Sequence, residues 1–229
     1  LKKARKLDVA RITELLKLGV PIGMANSMEQ GVFAVASIIM GTLSTVAVAS
    51  HQVAISVAAF TFMVPLGVAT ATTTRVGNAM GRRDPQAAKI AGWVGIGIGG
   101  VFMSCTGIIF LLFSEQIVML YTTEQDVVGY AGGLLMIAGA FQLSDGLQVT
   151  AMGALRGMKD TTIPMATNLV AYWALGLPTG LLFCYTFNMG GYGLWWGLTT
   201  GLSIAALLHS RRFRSIIGKR SHKEAWGET

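Results

Sequence analysis

Six long apolar runs alternate with short polar stretches along the chain, at residues 15–40, 46–71, 90–113, 127–152, 162–187 and 191–209. Each approaches or exceeds the roughly 20 residues that cross a hydrocarbon core as a helix. The pattern therefore predicts an all-α membrane protein with six transmembrane helices in one lobe spanning residues 15–210. Residues 1–17 read as a basic amphipathic linker and residues 211–229 as a basic tail. All eighteen lysines and arginines fall at or before the start of the first run, between runs two and three, between four and five, or after six. The other connections carry none: TLSTV, the acidic SEQIVMLYTTEQD and the NMGG turn. The positive-inside rule then puts both termini in the cytoplasm of a cell whose plasma or inner membrane the chain crosses.

Composition agrees with that pattern. The chain is 52% hydrophobic and 13% charged, with a mean hydropathy of +0.57, too apolar for a soluble domain of 229 residues. A net charge of +7 raises nucleic acid as a partner. That reading needs the basic residues on one soluble face, and here they sit in clusters between apolar runs, so the expected partner is the lipid bilayer and not nucleic acid. Cys105 and Cys184 lie inside apolar runs and imply no disulfide framework. The opening LKKARKLDVARITELLK is not a secretory leader, and a first residue other than Met leads us to expect a piece of a longer protein.

Two acids change the picture most. Glu29 and Asp145 are the only acidic residues deep inside apolar runs, with no lysine or arginine inside the runs beside them. Glu29 is twelve residues beyond Lys17 and Asp145 eleven before Arg156, which at helical rise puts each about 16–18 Å deep, near the membrane midplane. Acids at that depth are costly and mark ion pathways more often than structure. Asn26, Gln142 and Gln148, each three residues from one of the acids, are the candidate polar lining of a proton or sodium site. The alternative is a pair of protonated acids that merely bonds helices together. No metal-binding Cys/His spacing, phosphate loop or nucleophile elbow is present, so an enzyme is not expected, and no cofactor beyond a sodium ion or proton is implied.

Pro65 and Pro178 fall within runs and are expected to kink their helices, Pro178 near the middle of the fifth. Gly95 and Gly99, and Gly193, Gly197 and Gly201, form smooth stripes suited to close helix packing. Two polar connections read alike, GNAMGRRD from Gly77 and GALRGMKD from Gly153, both of the form GxxxGx(R/K)D. Their glycines suit left-handed helix ends, and either internal duplication or convergence on good caps explains the match. His51 reads as a structural interfacial residue, and His209 groups with the basic tail.

Four segments together carry a resemblance: LGVPIGMANSMEQGVF, VASHQVAISVAAFTFMVPLGVATATTTRVGNAMG, QLSDGLQVTAMGALRGMKD and YWALGLPTG. In them the chain resembles the C-terminal half of the multidrug and toxic compound extrusion (MATE) transporters. The resemblance implies one six-helix lobe of a twelve-helix, two-lobe transporter, with the missing N-terminal lobe as partner and small organic cations as exported substrates. It implies further that export is driven by sodium or proton entry, with Glu29 in the place of the coupling acid of the seventh helix and Asp145 in that of the tenth. Some sodium-coupled members carry Tyr one turn before the aspartate; Phe141 stands there, one oxygen ligand fewer. Other readings remain open at this point: a lipid-linked flippase of the same superfamily, an intramembrane aspartyl hydrolase using the two acids, or a membrane scaffold indifferent to them.

Overall fold

Helix boundaries follow local chemistry. Ser44 and Asp84 supply side-chain caps, accepting hydrogen bonds from the Ala47 amide at 2.9 Å and the Ala87 amide at 2.8 Å. Pro85 follows Asp84 as the first helical residue, where its missing N–H costs nothing. The computed structural model describes residues 9–225, and in them every regular element is helical. We number these α1 (Val9–Leu43), α2 (Thr45–Gly81), α3 (Pro85–Val118), α4 (Gln125–Gly157), α5 (Thr162–Thr186) and α6 (Gly190–Ala225). Residues 1–8 and 226–229, the ends of the expected linker and tail, lie outside the described residues.

The six rods coincide with the six predicted runs. Four of them, α2 to α5, are by themselves long and apolar enough to cross a membrane; the chain is a multi-pass membrane protein. Residues 15–40 and 191–209 form uninterrupted helix but fall short of that apolarity. In α1 the run is diluted by Asn26, Ser27, Glu29 and Gln30, and in α6 by repeated glycine, threonine and tryptophan.

α4 lies at the centre, buried over most of its length, with α2, α3 and α6 packed around it. Glycine sets these contacts. A Cβ on Gly107 would stand 2.7 Å from the Gly139 carbonyl oxygen, and one on Gly139 would stand 2.8 Å from that of Gly107, so α3 and α4 touch backbone to backbone. The stripe Gly193, Gly197 and Gly201 packs in the same way against the backbone of α5. By contrast α1 touches the bundle through a single file of small or apolar residues, Ala25, Val32, Ala36 and Met40, with Glu29 among them.

The two GxxxGx(R/K)D segments adopt one conformation, though not by the residues expected. The left-handed positions are Arg83 (φ 58°) and Lys159 (φ 62°), not glycines. In both, the following aspartate amide reaches back five residues, Asp84 to the Ala79 carbonyl and Asp160 to that of Leu155, each at 3.0 Å. Three of the four glycines serve the contact between α2 and α4 instead: Gly77 faces the Gly157 carbonyl, Gly153 lies on the Ala69 backbone and Gly157 on the Thr73 carbonyl, whereas a Cβ on Gly81 would meet nothing within 4 Å.

Two further expectations change. The tail does not begin free at residue 211. α6 continues, and Phe213 and Ile217, one turn apart, are buried among Val76, Ala88, Ile96 and Leu155. Charge made this segment look solvated, but its apolar residues share one helical face. The kinks also differ. α2 runs through Pro65 with no non-helical residue, whereas α5 widens into π-helical turns on both sides of Pro178, at Leu169–Gly176 and Leu182–Thr186. A departure from helical dihedrals occurs at Phe113 in α3, where no proline signals it.

Candidate functional site

The inward file of α1 brings Glu29 to the bundle, and the buried face of α4 brings Asp145 to meet it. Their side chains are 9% and 8% exposed, and both line one cavity of about 110 Å³ between α1, α2 and α4. The rest of its wall is largely apolar, with Phe33, Phe62, Phe141 and Ile55. A space of that size holds several waters. Two acids from different helices thus share a single chamber whose other surfaces offer little hydration.

The expected polar lining divides. Gln148 is fully buried beside Glu29 and the Tyr172 hydroxyl, yet neither of its amide atoms meets a partner at hydrogen-bonding geometry. Gln142 turns to the far side of α4, where its Nε2 donates to Thr61 Oγ1 at 2.8 Å and Thr106 Oγ1 at 3.4 Å. Asn26 is exposed, and its Oδ1 accepts from Arg156 Nη2 at 2.8 Å. A spacing of three residues puts side chains about 60° apart around a helix, enough to send Gln142 and Gln148 to opposite sides of Asp145.

Arg156 corrects the view that no fixed cation accompanies the acids. Its guanidinium folds back along α4 to Met152 and Asn26 and acts electrostatically on Glu29, without an ion pair between them among the described residues. Counting residues placed its Cα at the membrane edge; the long side chain spans another helical turn. Tyr172, Asn168 and His209 were likewise missed as neighbours of the site, although Asn168 and Tyr172 stand four apart on one helix, a legible signal. His209 is not with the tail but fully buried, and His51, also buried, accepts at Nδ1 from Trp195 Nε1 at 3.1 Å, in keeping with a structural role.

Comparison with known proteins gives this geometry a context. The MatE family model matches residues 21–182, from about three turns into α1 through most of α5. The chain belongs to the MATE family. It is 44% identical over 203 residues to the probable multidrug resistance protein NorM of Xanthomonas axonopodis pv. citri, and 41% identical over 205 to the multidrug resistance protein NorM of Burkholderia vietnamiensis. These alignments cover 89% and 87% of this chain but 44% of either relative, so the chain spans about half the length of the curated relatives it matches. The crystal structure of the eukaryotic MATE transporter AtDTX14 superposes with a TM-score of 0.83 at 25% identity, covering 92% of this chain and 49% of that one. A MATE crystal structure in the straight conformation superposes at 0.87 and 18% identity, a likeness of fold, over 95% and 49%. This MATE chain therefore has the helical arrangement of half a transporter.

Proposed function

We propose that the chain is the C-terminal lobe of a cation-coupled exporter of drugs or other amphiphilic organic cations, with all six helices crossing the membrane and both ends in the cytoplasm. The observation that carries this reading is the single chamber lined by Glu29 and Asp145. In it the two carboxyls take up a proton or a sodium ion. A charged pair favours the arrangement of helices that hydrates it and a neutral pair permits closure, which gives the ion the differential affinity for two states that any population shift requires. The aromatic walls suit the apolar part of an organic cation, and a second lobe supplies the facing wall, as alternating access needs one bundle to move against another. The NorM relatives are named as multidrug resistance proteins, which supports drugs as the substrate class.

The test is efflux from vesicles carrying the protein expressed from its natural reading frame, under an imposed pH or sodium gradient. Glu29→Gln and Asp145→Asn retain shape and lose charge. Each should insert at normal levels and lower gradient-driven efflux by at least about tenfold. Undiminished efflux by the double variant removes the coupling role, and the gradient that drives the unsubstituted protein identifies the ion.

A further inference from the structure

Apart from Gln142 Oε1, six buried side-chain polar atoms meet no partner at full hydrogen-bonding geometry among the described residues: both amide atoms of Gln148, the Asn168 Oδ1, the Tyr172 hydroxyl and both ring nitrogens of His209. None of these side chains is more than 3% exposed. Gln148 approaches Glu29 and the Tyr172 hydroxyl, and His209 approaches two backbone carbonyls, without closing a well-formed bond. Folded proteins rarely leave buried polar atoms dry, because each forfeits the hydrogen bonds it would make in water. Six in one cluster therefore point to a ligand that supplies both donors and acceptors, and water is the simplest.

The cluster has a direction. Tyr172 and Gln148 lie next to the acids, within electrostatic reach of Glu29. One turn further along α5 stands Asn168, whose Nδ2 contacts the Met152 sulfur of α4 at 3.9 Å, itself one turn beyond Gln148. His209 sits beside the backbone carbonyls of Pro164 and Gln148. One turn past it on α6, Arg212 donates from Nε to Asp160 Oδ2 at 2.6 Å and from Nη2 to Oδ1 at 3.2 Å, and this pair is 35% and 16% exposed. The ladder thus runs from the acids to the surface at the basic end of the bundle, along α4, α5 and α6. The aromatic chamber lies on the other side of the acids, against α1 and α2.

We propose that Gln148, Asn168, Tyr172 and His209 line a water-bearing proton route between the Glu29 and Asp145 carboxyls and the basic end of the bundle, with His209 as its titratable relay. The inference rests on the coupling reading above and adds a path for the ion distinct from the chamber for the substrate. Chemically, neutral imidazole takes a proton from water at one ring nitrogen and releases the proton on the other to the next water, after which reorientation restores the starting tautomer. The Tyr172 hydroxyl both accepts and donates; the two amides hold waters without carrying protons. The charged groups facing His209 are Arg156 from α4 and Asp160 from the α4–α5 turn, the latter shared with Arg212 on α6 itself. One repels and the other attracts a transient imidazolium, so the proton is not trapped there.

The route is tested on the protein expressed from its natural reading frame and reconstituted in sealed liposomes. Carboxyl protonation is followed by infrared absorbance after a pH jump on the basic-end side, with bands assigned by their loss in Glu29→Gln and Asp145→Asn. His209→Ala should slow the change by at least about tenfold while keeping its final amplitude, and added imidazole should restore the rate. An unchanged rate, or a slow one that imidazole does not restore, overturns the proposal. Should His209→Ala fail to fold, the unsubstituted protein decides: water-edited solid-state NMR should show water contact at the side-chain amides of Gln148 and Asn168, and dry amides overturn it. No transported substrate enters either measurement. Normal efflux by the two acid variants would therefore remove the coupling role while the protonation rate still reports on the route.

Discussion

Single atoms decide where helices of this chain can approach each other. Gly107 has no room for a methyl group, because the Gly139 carbonyl lies 2.7 Å from where it would be, while a Cβ on outward-facing Gly97 meets nothing within 4 Å. Gly107→Ala should therefore cost about 1–3 kcal/mol through forced separation of α3 and α4. Gly97→Ala, ten residues earlier on the same helix, should be neutral or stabilising by up to about 1 kcal/mol. Denaturant titration in micelles reads both, and equal effects would show that the close contact is not what holds these helices. At this scale the sequence was informative about kind and silent about neighbours. Acids in apolar runs announced themselves by composition, because their cost does not depend on which helix they face. Arg156 and His209 did not, because one joins the site by folding back along its own helix and the other through a contact from another, and neither is written in residue spacing; Tyr172, four residues from Asn168, was legible and was passed over.

Among elements, the repeated end of α2 and α4 shows how a short motif can be recognised and yet misread. GxxxGx(R/K)D does mark two helix ends of one conformation, but the left-handed residue in each is basic, Arg83 or Lys159, and three of the four glycines, Gly77, Gly153 and Gly157, serve the contact between the two helices. A residue with a Cβ is disfavoured there by about 1–2 kcal/mol. Arg83→Gly should consequently raise stability by up to about 1 kcal/mol, and Arg83→Val should lower it by about 1–2 kcal/mol, since branching at Cβ is least tolerated at positive φ. Thermal unfolding of the pair checks this, and a valine variant as stable as glycine would contradict the assignment. The equivalent change at Lys159 would carry a second effect, loss of its 2.6 Å ion pair with Glu14 on α1. Hydropathy found all six helices because long apolar runs leave few alternatives. It missed the packed continuation of α6 because Phe213, Ile216 and Ile217 are three apolar residues among arginines, too few to move an average.

For the whole molecule, the segregation of basic residues makes an orientation that labelling can read. With Cys105 and Cys184 replaced by serine, a cysteine at Thr123 should react with an impermeant reagent in intact cells and one at Arg82 should not; reaction at Arg82 would reverse or break the six-span orientation. Four helices are apolar enough to cross on their own; in the proposed six-span arrangement α1 and α6 would need their neighbours to do so, a distinction no single segment displays. The wide turns of α5 bear on how such a bundle tolerates changes in length. A π-helical turn accommodates one residue more than an α-helical one, and α5 has two such stretches flanking Pro178, each on a different part of its contact with α6. Most membrane helices respond to a lost residue by turning everything beyond it by about 100°. Here a missing residue between 169 and 176 could be absorbed by tightening one wide turn, leaving Gly180 facing Gly197. This helix thus carries slack in its reading frame of faces, and natural length variation in the bundle is expected to gather there before it appears in the tightly seated α3 and α4.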